Sequence, residues 1–269
     1  MLIKNKKYGG FLWHFLFAGL FIGISLLGMR FLEGVAWNLF SASLRIIFGI
    51  TILIFSSKLF EKKPKKILEM KNIRIALIAG SGFILYFVYY IVNVASGFGK
   101  VTGLTVRYFI SKAIIQQITT GFYEELNYRF LLLEGLKYTS NTVGRKLLYV
   151  FASTALFGLL HCVTGWNTYT FLQTGSIGFA FAVMFVKSGN IVLPMIFHFL
   201  YDVIAVTVPY IEWNHNPVFD TISFIFDYVL VIMFVVSLIL LIYLKDEDHE
   251  VYSESKDFNR RIYEFFEKE

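Results

Sequence analysis

The chain has 269 residues, of which 57% are hydrophobic, 19% aromatic and only 16% charged, with a mean hydropathy of +0.63. Soluble domains carry about 25% charged residues, so this composition excludes a water-facing surface over most of the molecule and points to lipid. The net charge of +6 would raise nucleic acid as a partner of a soluble protein; here the basic residues lie between apolar runs, so membrane lipid and no nucleic acid is expected.

A helix needs about 20 apolar residues to cross the hydrocarbon layer. Eight segments come near that length: Phe11–Gly28, Val35–Phe55, Ile75–Val94, Tyr108–Leu133, Leu147–Val163, Tyr169–Val186, Ile191–Val208 and Ile222–Leu244. The first follows Lys4, Lys6 and Lys7 and resembles a signal peptide, but no small-residue cleavage site follows it, so it reads as an uncleaved span. Pro194 falls in the first turn of the seventh span, where proline is tolerated. The expected fold is an all-α, polytopic membrane bundle of about eight helices, forming one domain over 1–244. A charged tail over 245–269 follows it.

Lysine and arginine mark the cytoplasmic side. The N-terminal lysines, the loop from Lys58 to Arg74, and the loops holding Lys137, Arg145, Lys146 and Lys187 fall on one side, while Glu33, Glu212, His215 and Asp220 fall on the other. Both termini are then expected in the cytoplasm. The Lys- and Ile-rich usage suggests a bacterial plasma membrane. The single cysteine, Cys162, excludes an intrachain disulfide and a thiolate metal site.

The fourth segment carries the chemistry. It places Glu124, Glu125 and Arg129 inside an apolar run, where each charge costs roughly 2.5–3.5 kcal/mol. Glu125 and Arg129 are four apart and can pair on one helix face. Glu124 lies about 100° further round and is left unmatched, which suits a general base or acid. The fifth segment supplies Phe157 and His161; the seventh supplies His198 and Asp202, again four apart. Counted from the nearest cytoplasmic basic residue, Glu124, His198 and His161 lie about 20, 16 and 22 Å deep, so one site can hold all three. Two arrangements are open. Glu124 activates a water held by His161 while His198 and Asp202 stabilise the oxyanion or orient the water. Alternatively, Glu124, His161 and His198 hold a catalytic zinc with one open position. Other intramembrane polar residues read as structural: Arg45 snorkels or pairs with a neighbouring helix, His14 and Cys162 pack, and Gln116, Gln117 and Gln173 bridge helices.

E-E-x-x-x-R, F-x-x-x-H and H-x-x-x-(N/D), in this order on separate membrane segments, resemble the CPBP family, which contains the type II CAAX prenyl endopeptidases and the bacterial Abi or bacteriocin-processing proteins. The resemblance covers about Tyr108 to Val208. It implies an intramembrane endopeptidase with Glu124 as the water-activating base, His161 and His198 as the motif histidines and Asp202 at the last motif position. That position is asparagine in the prenyl-protein enzymes, so their substrate class does not carry over directly. The family is often called metalloprotease, which leaves zinc open. The implied substrate is a membrane-associated peptide or protein, with bacteriocin or pheromone processing or self-immunity as the setting. Intramembrane Glu, His and Asp also build proton relays, so a proton-coupled transporter is the rival reading, and a non-catalytic membrane scaffold a third.

Overall fold

The computed structural model describes residues 6–137, 143–214, 217, 219–221, 224 and 229–244. The tail 245–269, with Lys4, His215 and Asp227, lies outside the described residues, and so do the side chains of Lys6, Lys7, Lys137 and Arg145.

About 82% of the structure is helical. Helix α1 runs over Lys6–Gly28 and α2 over Gly34–Phe60. The short α3, Pro64–Ile67, leads to α4, Ile73–Ala79, and α5, Ser81–Ala95. Next comes a composite helix over 106–137, here called the motif helix. Then follow α6, Val143–His161, α7, Thr168–Ser188, α8, Val192–Thr207, and α9, Val229–Tyr243. Two short strands, β1 (Gly99–Val101) and β2 (Ile211–Trp213), pair antiparallel and clip the exit of α5 to the end of α8. They are an addition to the all-helical expectation. In their register Lys100 faces Glu212, a base opposite an acid.

The all-helical membrane bundle stands, but a count of eight spans does not. Among the described residues four helical stretches are long and apolar enough to cross a membrane: Gly10–Gly28, Gly34–Phe60, Thr168–Ser188 and Val192–Tyr210. A fifth arises if α4 and α5, bent by 69°, form one span. The described apolar stretches of α6 and α9, Lys146–His161 and Val231–Tyr243, are shorter. The motif helix is withdrawn from lipid instead: Gln116, Gln117, Thr119, Thr120, Glu124, Glu125, Asn127 and Arg129 are all buried along it. Lipid-facing helices show the reverse pattern. On α2, Ile47, Ile50 and Ile54 are exposed, while Ser41, Gly49, Ile52 and Ser56 point inward.

Two glycines set the geometry around the site. At Gly80, the bend between α4 and α5, a Cβ would lie 2.6 Å from the Phe197 ring, so the bend can seat against α8 only without a side chain. At Gly121 a Cβ would lie 2.7 Å from the Met195 carbonyl oxygen, a backbone atom. The motif helix therefore crosses α8 backbone to backbone, one turn from Glu124 and Glu125 and beside His198. Around this crossing the core is aromatic, with Phe83 and Phe181 stacked at 4.5 Å.

Candidate active site

The motif helix is not a uniform α-helix. It is π-helical over Phe109–Ile115 and again over Glu125–Leu131, with an α-helical stretch, Gln116–Glu124, between. A π-helix hydrogen-bonds to the fifth residue on, and such segments are often found at functional sites. The wider turns release carbonyls from the regular ladder, and neighbouring side chains bond to them. Gln117 Nε2 donates to the Lys112 carbonyl at 3.0 Å. His14 Nδ1 donates from α1 to the Asn127 carbonyl at 3.1 Å. Ser153 Oγ donates from α6 to the Tyr128 carbonyl at 3.3 Å. His14, read from sequence as a packing residue, is therefore a fully buried clasp on the second π segment.

That segment begins at Glu125, and its winding lets two consecutive carboxylates reach one histidine. His198 Nδ1 lies 2.8 Å from Glu125 Oε1, a charge-assisted hydrogen bond with the imidazole N–H donating. His198 Nε2 lies 3.8 Å from Glu124 Oε2 and 3.5 Å from Asp202 Oδ2. Behind Glu125 its other oxygen meets Arg129 Nε at 3.1 Å, with both side chains wholly buried. The Arg129 guanidinium in turn donates from Nη1 to Ser153 Oγ at 2.9 Å and stands 4.7 Å over the Phe157 ring. Gln116 bridges to α2 as expected, donating to Ser41 Oγ at 3.2 Å.

The i,i+4 pairs expected from spacing, Glu125–Arg129 and His198–Asp202, are both present. Glu125 takes Nδ1 and fixes the ring, whereas Asp202 shares the Nε2 side with Glu124. Glu124 is the member left with spare capacity. It is 8% exposed, and its Oε2 has no hydrogen-bond partner among the described residues.

His161 sits apart from this cluster. It is exposed at the end of α6, and its Nδ1 donates to the Phe157 carbonyl at 2.7 Å, which leaves Nε2 as an acceptor. The Phe157 ring lies between the two histidines, 4.5 Å from His161 and 5.8 Å from His198 by ring centroids. His161 joins Glu124 through a cavity of about 210 Å³ between α1, α2, the motif helix and the end of α6, whose wall includes Arg45, Tyr123, Glu124, Tyr128 and His161. Among the described residues no three His, Cys, Asp or Glu side chains are placed to hold a metal ion. As positioned, Glu124, His161 and His198 do not converge on a single ion.

Sequence reading missed Arg45 at this site. The signal was there: it lies in mid-helix, the sole charge between Gly34 and Ser57 of α2. A second, more apolar cavity of about 620 Å³ lies between α5, β1 and α8, past Asp202, with Tyr90, Val94, Phe109 and Ile204 in its wall.

Residues 106–204 match the family model described as type II CAAX prenyl endopeptidase Rce1-like. No curated protein and no solved structure matches the chain. The matched segment contains Glu124, Glu125, Arg129, Phe157, His161, His198 and Asp202, and the match supports the similarity of this segment to CPBP-family intramembrane proteases.

Proposed function

We propose that this protein is an intramembrane endopeptidase in which Glu124 activates water for attack on a peptide bond entering the cavity between α1, α2 and the end of α6. The observation that carries this reading is the position of Glu124. It lines that cavity, and its Oε2 stands 3.8 Å from His198 Nε2 with no hydrogen-bond partner among the described residues. Glu125, backed by Arg129, holds His198 by Nδ1, and His198 with Asp202 then fixes the carboxylate of Glu124 in place. His161 Nε2, as an acceptor on the same cavity wall, orients the water.

In the reaction the water oxygen bonds to the scissile carbonyl carbon and a water proton passes to Glu124. The carbonyl π electrons move to oxygen, giving a tetrahedral oxyanion. Collapse restores the C=O bond, breaks the C–N bond, and the proton on Glu124 goes to the departing amine. Water is consumed, a carboxylic acid and an amine are formed, and no covalent intermediate with the protein is made. The substrate is a membrane-associated peptide or protein, delivered from the bilayer that surrounds the helices. The setting we favour is a bacterial plasma membrane with both termini cytoplasmic, and processing of, or self-immunity to, a secreted peptide such as a bacteriocin or pheromone.

The test uses the full chain in lipid nanodiscs with a panel of membrane-anchored peptides, prenylated and unprenylated, read by mass spectrometry. Cleavage by the wild type should fall about 10²–10⁴-fold in Glu124→Gln, the range for loss of a general base. Equal cleavage by Glu124→Gln and wild type would overturn the assignment. Absence of cleavage across the panel, with proton-coupled solute uptake into proteoliposomes, would favour a transporter.

A further inference from the structure

The bundle has two chemically different ends. At one, α2 runs out into the basic segment from Lys58 to Arg74, and the ends of the motif helix and α7 lie with it. Lys62 Nζ meets Glu134 at 3.0 Å, Asn190 Nδ2 donates to the Lys71 carbonyl at 2.6 Å, and Asn72 Nδ2 donates to the Ser188 carbonyl at 2.9 Å. Lys146, near the start of α6, and Lys187, near the end of α7, belong to the same end. The other end holds the α1–α2 turn, the strand pair and the end of α6. Asn38 Nδ2 there ties the start of α2 to Ser111 Oγ of the motif helix at 3.2 Å. The described basic residues at this end are Arg30, Lys100 and Arg107. An excess of Lys and Arg marks the cytoplasmic face of a membrane protein.

The cavity that holds Glu124 is graded along this axis. Its inner wall is buried, at Ala18, Tyr123, Glu124 and Tyr128. Its rim is exposed, at Leu26 and Met29 on α1 and at Val163 and Thr164 just past α6. From Ala18 to Met29 the α1 wall climbs about 16 Å toward the end with few basic residues. In the opposite direction the motif helix continues into Leu131 and Leu132, which pack with Phe60, Tyr149 and Phe185 in one buried cluster. A peptide threaded through that layer would have to strip its N–H and C=O groups of partners. Trp37, in the cavity wall, and the exposed Trp166 and Tyr169 form the aromatic girdle of a membrane–water interface around the rim.

We propose that the catalytic cavity opens to the extracytoplasmic face, and that its substrate is a peptide segment lying at or beyond the outer leaflet rather than a cytoplasmic tail. This deepens, and rests on, the hydrolytic reading given above. The basic end places the closed, apolar side of the site toward the cytoplasm, and the exposed rim places the open side toward the exterior. A chain that has already been exported, or that is anchored with its scissile bond on the outer side, reaches Glu124 without crossing the packed layer below it.

Single cysteines in the full chain test this, each in a Cys162→Ser background. Gly165→Cys reports on the rim, where an added Cβ meets nothing within 4 Å. Ser25→Cys reports on the cavity wall, and Lys63→Cys on the exposed basic segment. Each variant meets a membrane-impermeant thiol reagent in spheroplasts and in inverted vesicles of a bacterial host. Gly165→Cys and Ser25→Cys should be modified in spheroplasts and lose that reactivity in inverted vesicles, with Lys63→Cys showing the reverse. In parallel, a membrane-impermeant peptide that the wild type cleaves in nanodiscs is offered to both preparations, with Glu124→Gln as the blank. Glu124-dependent cleavage should be present in spheroplasts and lost in inverted vesicles. Modification of Ser25→Cys or Gly165→Cys from the cytoplasmic face, or cleavage in inverted vesicles, would overturn the proposal; the rim variant keeps the test decisive if Ser25→Cys does not fold. Absence of Glu124-dependent cleavage everywhere, nanodiscs included, is a separate result: it would remove the hydrolytic reading, and with it a substrate on either side, while the labelling would still decide which face the cavity opens to.

Discussion

Replacing Gly121 with alanine should disable the site without unfolding the protein. The new Cβ would stand 2.7 Å from the Met195 carbonyl oxygen, and reaching ordinary contact at 3.4 Å requires the motif helix and α8 to part by about 0.7 Å. The Met195 oxygen is backbone, so no side-chain rotation relieves the overlap. The crossing lies one turn from Glu125, whose oxygen is 2.8 Å from His198 Nδ1. The same displacement would stretch that contact toward about 3.5 Å, where a hydrogen bond is largely lost. Overpacking costs about 1–3 kcal/mol, and exchanging a mid-helix glycine for alanine returns about 1 kcal/mol, so the melting temperature should move by only a few degrees. Activity should fall about 10²-fold, because misplacement by 1 Å can cost that much. Peptide cleavage in nanodiscs beside a thermal melt reads both quantities. Full turnover by a well-folded Gly121→Ala variant would refute the view that this close crossing aligns the carboxylates with His198.

Other outcomes follow from the same geometry. Asp202→Asn keeps an oxygen acceptor near His198 Nε2, now 3.5 Å away, and should retain cleavage within about tenfold, whereas Asp202→Leu should lose about 10²-fold or more; equal rates in the two would show that Asp202 does not act through His198. Arg129→Met leaves Glu125 buried without its cation and should cost about 3–5 kcal/mol; combining it with Glu125→Gln should recover part of that loss in melting experiments, and strict additivity would argue against the 3.1 Å pair as the stabilising contact. His14→Leu removes the donor to the Asn127 carbonyl and should lower stability by about 1–3 kcal/mol, with no change in melting temperature if the second π segment holds without it.

How much of this was legible in the sequence depended on the range of each interaction. Long uninterrupted apolar runs identified α1, α2, α7 and α8, because span length is a property of composition alone. The pairs Glu125–Arg129 and His198–Asp202 were legible because i,i+4 neighbours meet on any helix. A count of eight spans is not supported among the described residues, because apolar length does not say whether a helix faces lipid or protein. The segment around Glu124 is sheathed by α1, α2 and α8, and the Gly80 bend breaks another run. The π winding at Glu125 was not legible, since it depends on donors from α1 and α6, His14 and Ser153, more than 20 residues away in the chain. Without that winding Glu124 and Glu125 diverge by about 100°, and the Glu125–His198 contact could not be foreseen. Arg45 was visible as an anomaly, but its place in the wall that holds Glu124 and His161 required the tertiary arrangement.

The most direct measurement is cleavage of a membrane-anchored peptide in ¹⁸O-labelled water under single-turnover conditions, comparing wild type with Glu124→Gln. The wild type should place one labelled oxygen in the new carboxyl group, and the variant, melting within a few degrees of wild type, should yield almost no product. Labelled product formed by Glu124→Gln at the wild-type rate would contradict a water activated by that carboxylate.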